Sequence, residues 1–170
     1  HQIINMFPEW TFSLFYLGAQ KDPKATYKYQ LPPNVKHLEE VYLFDDSADG
    51  AALLGGMSSK WKPFFENVRK LGVRVPTGDA HDLEVVRKLL SHVAENSRVG
   101  FDTFWKNEET WKVAIEIYDR YATDDSFLDF YWTLRFLIQP LWKLARAMNR
   151  LPKARLYHSA CTGYAGMAAA

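Results

Sequence analysis

HQIINMFPEWTFSLFYLGA, residues 1–19, decides the class of fold. Its first seven residues read as the last turns of a helix, ended before Pro8, whose ring cannot continue it. Residues 10–19 are dense in Phe, Tyr, Trp and Leu, polar only at Thr11 and Ser13, and close on Gly18, which is the pattern of a buried strand. A helix that runs into such a strand is an α/β signal. No Met opens the chain and the helix-like run after residue 163 breaks off, so the expectation is a chain cut at both ends.

Outward from that stretch, KYQLPPNVKHLEEVYLF (28–44) offers a turn at Pro32-Pro33-Asn34 and then a second strand, VKHLEEVYLF, ended by Asp45-Asp46. Two strands with so little between them should be neighbours in one sheet. DDSADGAALLGGMSS (45–59) is a loop of small and turn residues.

From 59 to 150 the period becomes helical. Trp61, Phe64, Phe65, Val68 and Leu71 recur at spacings of three and four, with Gly72 expected just past the end of the helix. Asp79 precedes a helix with Leu83, Val86, Leu90 and Val93 on one stripe. Asn107 is placed to cap another, with Trp111, Ile115 and Tyr118 on its inner face. The last helix, from about Asp124 to Asn149, is apolar nearly all round and carries Pro140 inside, where a kink is expected. Roughly ninety residues of helix between two strands far exceed what a parallel crossover needs, so this block is expected to be an insertion, about 59–150.

The third strand is expected to end at Leu156-Tyr157-His158, followed by a turn from Ser159 to Gly163 and a helix opening at Tyr164. Ligands bind outside the carboxyl ends of the strands of an open α/β sheet, and a helix start offers free N–H groups. His158, Thr162, Gly163 and Tyr164 therefore form the candidate binding site. The competing explanation is structural: a lone strand-end His is usually a hydrogen-bonding residue, and TGYAG lacks the Gly-Lys-Ser/Thr of a P-loop and most of a dinucleotide fingerprint.

Composition narrows the function classes. Apolar residues make up 48% and charged residues 24%, and 21 Lys plus Arg face 20 Asp plus Glu, so neither disorder nor a nucleic-acid surface is expected. Cys161 is the one cysteine, which excludes an internal disulfide and suits a reducing compartment such as the cytoplasm. Asp129, Arg135, Gln139 and Lys143 interrupt the most apolar segment, 126–148, too often for a spanning helix. Cys161 and His158 have no third ligand at metal-binding spacing, so no metal is expected. The pairs Glu39-Glu40, Asp45-Asp46, Glu108-Glu109 and Asp124-Asp125 fall where solvation and capping explain them.

WTFSLFYLGA, YKYQLPPNVKHLEEVYLFDD and ARLYHSACTGYAGMAAA, in that order and with a helical block between the last two, together resemble the N-terminal domain of the PelF family. These are retaining glycosyltransferases of the GT-B, GT4-like type linked to Pel exopolysaccharide synthesis. The resemblance spans residues 1–170 and implies a partial N-terminal, Rossmann-like half whose first strand is missing, with the helical insertion within it. It further implies a nucleotide-sugar donor, a UDP-sugar by similarity, and a saccharide acceptor received by this half. The donor would be held by a C-terminal half with paired glutamates, no cofactor or metal would be needed, and the fragment alone would be inactive. His158 matches the family's cleft-facing His, and Thr162, Gly163 and Tyr164 match the turn and helix start after it. Related enzymes often carry His-x-His there, whereas the second position here is Ala160. No catalytic residue is assigned. Two other readings stay open: an interaction module whose aromatic helix docks on a membrane-bound Pel synthase component at the inner membrane, and a stand-alone ligand-binding α/β domain.

Overall fold

The computed structural model describes residues 2–24, 26, 30–45, 57, 59–73, 80–96, 98–122, 126–160 and 163–169. The chain is mixed α/β and separates into two compact units, His1–Asp45 with Ala147–Ala170, and Asp46–Arg146.

The first unit holds helix α1 (Gln2–Met6) and strands β1 (Phe12–Gly18) and β2 (Val35–Tyr42), which pair in parallel as a two-stranded sheet. The turn before β2 forms as its residues dictate: Val35 N–H donates to Pro32 O at 3.0 Å, with Pro33 and Asn34 between them. Asn34 does more than turn. Its Nδ2 donates to the carbonyls of Ile4 at 3.0 Å and Phe7 at 3.1 Å, tying the end of α1 to the entry of β2. The Ile4 carbonyl is one that the helix end leaves without an internal partner, and the Phe7 carbonyl also accepts from Trp10 N–H at 3.1 Å.

Pairing begins at Phe12 opposite Val35, then steps from Ser13 to His37, so Lys36 is an extra residue on β2. Beyond that irregularity Phe15 lies beside Glu39 and Leu17 beside Val41. One face of the sheet closes on buried Val41, Leu43 and Ala147, with Phe15, Leu17, Phe44 and Tyr164 packed around them. The other face stays open at Tyr16, 53% exposed. The expectation of a buried strand is met only in part: Phe12, Leu14, Phe15 and Leu17 are half-buried and Gly18 is buried, whereas Ser13 and Tyr16 are exposed.

The second unit is helical in its described residues: a 3-10 turn (Ser59–Trp61), α2 (Lys62–Val73), α3 (Ala80–Glu95), α4 (Phe101–Trp105) and α5 (Glu108–Tyr121). Helix α6 (Phe127–Met148) lies in it up to Arg146. Trp61 sits at the centre of its core, 2% exposed, stacked on Trp142 at 5.6 Å and edge-on to Phe64 at 5.1 Å. Phe104 closes on Trp142 at 4.6 Å. Burying each such ring contributes on the order of 1.5–3 kcal/mol, and favourable ring geometry adds about 0.5–1.5 kcal/mol per pair.

Three local expectations change here. Gly72 lies inside α2 rather than beyond it. The inner face of α5 is Thr110, Val113 and Ala114, while Trp111 is 44% exposed and leans on Phe127 and Tyr131. On α3 the fully buried apolar positions are Val85 and Val93, with Leu89, Leu90 and Val86 partly covered. The stripes expected on α2 and α3 do turn inward at Trp61, Phe64, Phe65, Val68, Leu90 and Val93, whereas on α5 the large ring of Trp111 does not mark the buried face. Asn107 does cap α5, its side-chain oxygen accepting from Glu109 N–H at 2.9 Å. Pro140 lies within α6 and is almost fully buried. Asp79 and Asp124 fall outside the described residues.

Candidate functional site

The carboxyl ends of both strands meet at Gly18 and Tyr42, which are register partners. Past them, Leu43 N–H donates to Gly18 O at 2.9 Å and Phe44 N–H to Ala19 O at 2.8 Å, so the strands stay joined to their ends. Gly18 is required there by space. A Cβ on it would come within 2.8 Å of the Tyr42 ring and 3.0 Å of the Tyr16 ring. The two tyrosines meet edge to face at 6.1 Å, and the Tyr42 hydroxyl donates to Glu40 Oε2 at 3.3 Å. Burial, and then the adjoining Glu40 carboxylate, push the Tyr42 phenol above its usual range, which keeps it a donor.

Of the four residues predicted to form the site, Tyr164 is brought to this end of the sheet, packed on the Val41, Leu43 and Ala147 cluster at the start of α7 (Tyr164–Ala169). Gly163 precedes it with φ +75°, a conformation that glycine adopts without penalty and an L side chain resists. Its Cβ position faces open space, so conformation and not close approach explains this glycine. Thr162 lies outside the described residues, as does Cys161.

His158 is exposed, and the segment that carries it is not a strand. Residues 152–159 pair with neither β1 nor β2. A local closure replaces the ladder: the Tyr157 hydroxyl accepts from Ala154 N–H at 3.1 Å and donates to Pro152 O at 3.4 Å. Leu156, at 71% exposed, and Tyr157, at 50%, then gain no cover. The reading of Leu156-Tyr157-His158 as a strand end is corrected on that ground, since strand formation depends on a partner edge and on burial more than on β propensity.

The paired acids resolve mostly into structural contacts. Glu39 accepts from Arg150 Nε at 2.6 Å and has His37 Nε2 at 4.0 Å. Glu40 holds Tyr42. Glu108 and Glu109 both meet Lys112, and Glu109 also meets Arg69. Those neighbours hold the Glu109 carboxyl below its usual range, hydrogen bonding from Lys112 first and from Arg69 next. Among the described residues no group of three or more His, Cys, Asp or Glu converges as a metal site. Nor is any helix, among those residues, long and apolar enough to cross a membrane. Sequence reasoning passed over Gly18 with Tyr16 and Tyr42, and Arg150 with Glu39. The parity of 16, 18, 40 and 42 could have flagged the first group; the second joins residues 111 apart and left no local signal.

No curated protein and no solved structure matches the chain. A family model does match, over residues 1–170, so the chain belongs to the family described as Domain of unknown function (DUF3492).

Proposed function

We propose that these residues contribute the acceptor-side, Rossmann-like half of a retaining GT-B glycosyltransferase that extends a Pel-type exopolysaccharide from a UDP-sugar. The observation that carries the reading is the match to a domain found in GT4-like glycosyltransferases, over all 170 residues. The parallel β1–β2 pair and the packing of Tyr164 at its carboxyl end are compatible with such a half. Transfer of this kind asks the acceptor side for positioning: an acceptor hydroxyl held at the anomeric carbon while positive groups and dipoles of the donor half stabilise the departing diphosphate. The exposed imidazole of His158 would orient a sugar by hydrogen bonding rather than act as base. Donor binding and the paired glutamates would belong to a second half.

The test is made in the full-length enzyme, with UDP release and chain extension followed over a panel of UDP-sugars. His158→Ala is expected to lower transfer or sugar affinity by roughly two- to tenfold, the loss of about one hydrogen bond of 0.5–1.5 kcal/mol. Transfer and affinity near wild type would remove the role of His158, and no sugar transfer with any donor would remove the transferase reading.

A second reading, docking on a membrane-bound synthase component, is favoured by one observation. Leu128, Trp132 and Phe136 follow one another at spacings of four on α6 and are 48–62% exposed. Charged substitution of Trp132 in the full-length protein that leaves membrane recruitment unchanged would dispose of it.

A further inference from the structure

His92 is the polar member of an otherwise apolar cluster. It lies on α3, edge-on to Trp61 at 4.7 Å and tilted against Phe64 at 5.5 Å, so the 3-10 turn and α2 both close on its ring. Its Nε2 atom is buried and has no hydrogen-bond partner among the described residues. The helix is otherwise well satisfied at this point: the carbonyl of His92 accepts from Asn96 Nδ2 at 2.8 Å and from Asn96 N–H at 3.1 Å.

A neutral imidazole can leave one nitrogen as a bare lone pair, and an unpaired lone pair in an apolar cluster is a modest penalty. A protonated imidazole must carry N–H at both nitrogens. Nε2–H would then be part of a cation with no acceptor to meet it, which is far more costly. Trp61 and Phe64, the groups that the 3-10 turn and α2 present to His92, do not titrate in this range. Lys60 and Lys62 flank Trp61 and are exposed. On α3 itself the charged group that acts on His92 is Glu95, which favours the proton, but burial outweighs it and the ring is held below its usual range.

We infer that His92 is a proton-operated wedge: taking up a proton separates α3 from Trp61 and Phe64 and loosens the helical unit. The sign follows from linkage. The folded cluster binds the proton less well than the opened one, so the closed state is fully favoured above the ordinary histidine pKa of about 6.5 and loses ground as pH falls below it. Between 6.5 and the lower value in the closed state, the opening constant rises by up to about tenfold per pH unit. A cation–π contact with Trp61 would act the other way and hold the proton on.

The experiment is amide hydrogen exchange of the full chain between pH 8 and 5, corrected for the intrinsic rate and read over residues 60–65 and 89–93. The wild-type opening constant is expected to climb several-fold between pH 7 and 5.5, and His92→Gln and His92→Phe to flatten that climb. An equal climb in the variants, or none in the wild type, overturns the proposal. Should either variant fail to fold, ring-nitrogen NMR titration of His92 in the wild type decides alone. A midpoint below 6.5 is expected, and one at or above 6.5 overturns it.

Discussion

The two units hold themselves together by different means. In the helical unit, rings meet rings: Trp61, Phe64, Phe65, Phe101, Phe104, Trp105 and Trp142 form a continuous buried cluster, and polar groups work at its margin. In the strand unit the buried apolar cluster is Val41, Leu43 and Ala147, and the organising contacts are polar and directional: Asn34 on two carbonyls, Arg150 on Glu39, Tyr42 on Glu40. A non-directional core tolerates loss by degrees, whereas a directional clamp fails when one atom is removed. Parallel sheets are normally covered on both faces. One face of this sheet leaves Tyr16 half in solvent, and the exposed residues Gly163 and His158 belong to the same unit. Mass for stability is concentrated in one unit and the candidate binding residues in the other.

That contrast is breakable. The largest effect should come from Trp142→Ala, which empties the centre of the ring cluster and is expected to cost about 3–5 kcal/mol in denaturant unfolding of the full chain. A loss under about 1 kcal/mol would mean that the aromatic cluster is not what holds the helices. Next, Asn34→Ala removes a side-chain donor from the Ile4 and Phe7 carbonyls at once, leaving Phe7 O only the Trp10 N–H. It should cost about 1–3 kcal/mol, with hydrogen exchange rising at the entry of β2 and unchanged around Trp61. An effect spread evenly over both units would erase the distinction drawn between them. Smallest, Glu116→Gln removes a surface partner of Arg69, whose guanidinium keeps Glu109; the shift should stay below about 1 kcal/mol and shrink with added salt.

The elements themselves were legible. β1, β2, α2, α3, α5 and α6 fall where periodicity and turn residues put them, because those signals are local and repeated. The phase of α5 was not legible from ring size: Trp111 looked like a core residue and lies half exposed, while the smaller Thr110 and Ala114 face inward, Thr110 satisfied by donating to Phe104 O at 2.6 Å. At the candidate site the positive φ of Gly163 could be anticipated from the turn. The failure of Leu156-Tyr157-His158 to pair could not, since pairing depends on an edge being offered by some other part of the molecule. His92 was equally hidden. Nothing in SHVAEN says that an imidazole will be shut in between two rings.

The extra residue at the entry of β2 has a consequence for the sheet as a whole. With Lys36 skipped, every later pair matches like parity, odd with odd and even with even, and Leu17 runs alongside Val41. Were Lys36 instead held in the ladder opposite Ser13, with no irregularity, Leu17 would run alongside Glu40 and Phe15 alongside Leu38. The two strands would then disagree about which way is inside, and a carboxylate would be carried toward Ala147. The oily and wet sides of this sheet are kept apart by a single counting error, committed at the second residue of β2 and never repeated.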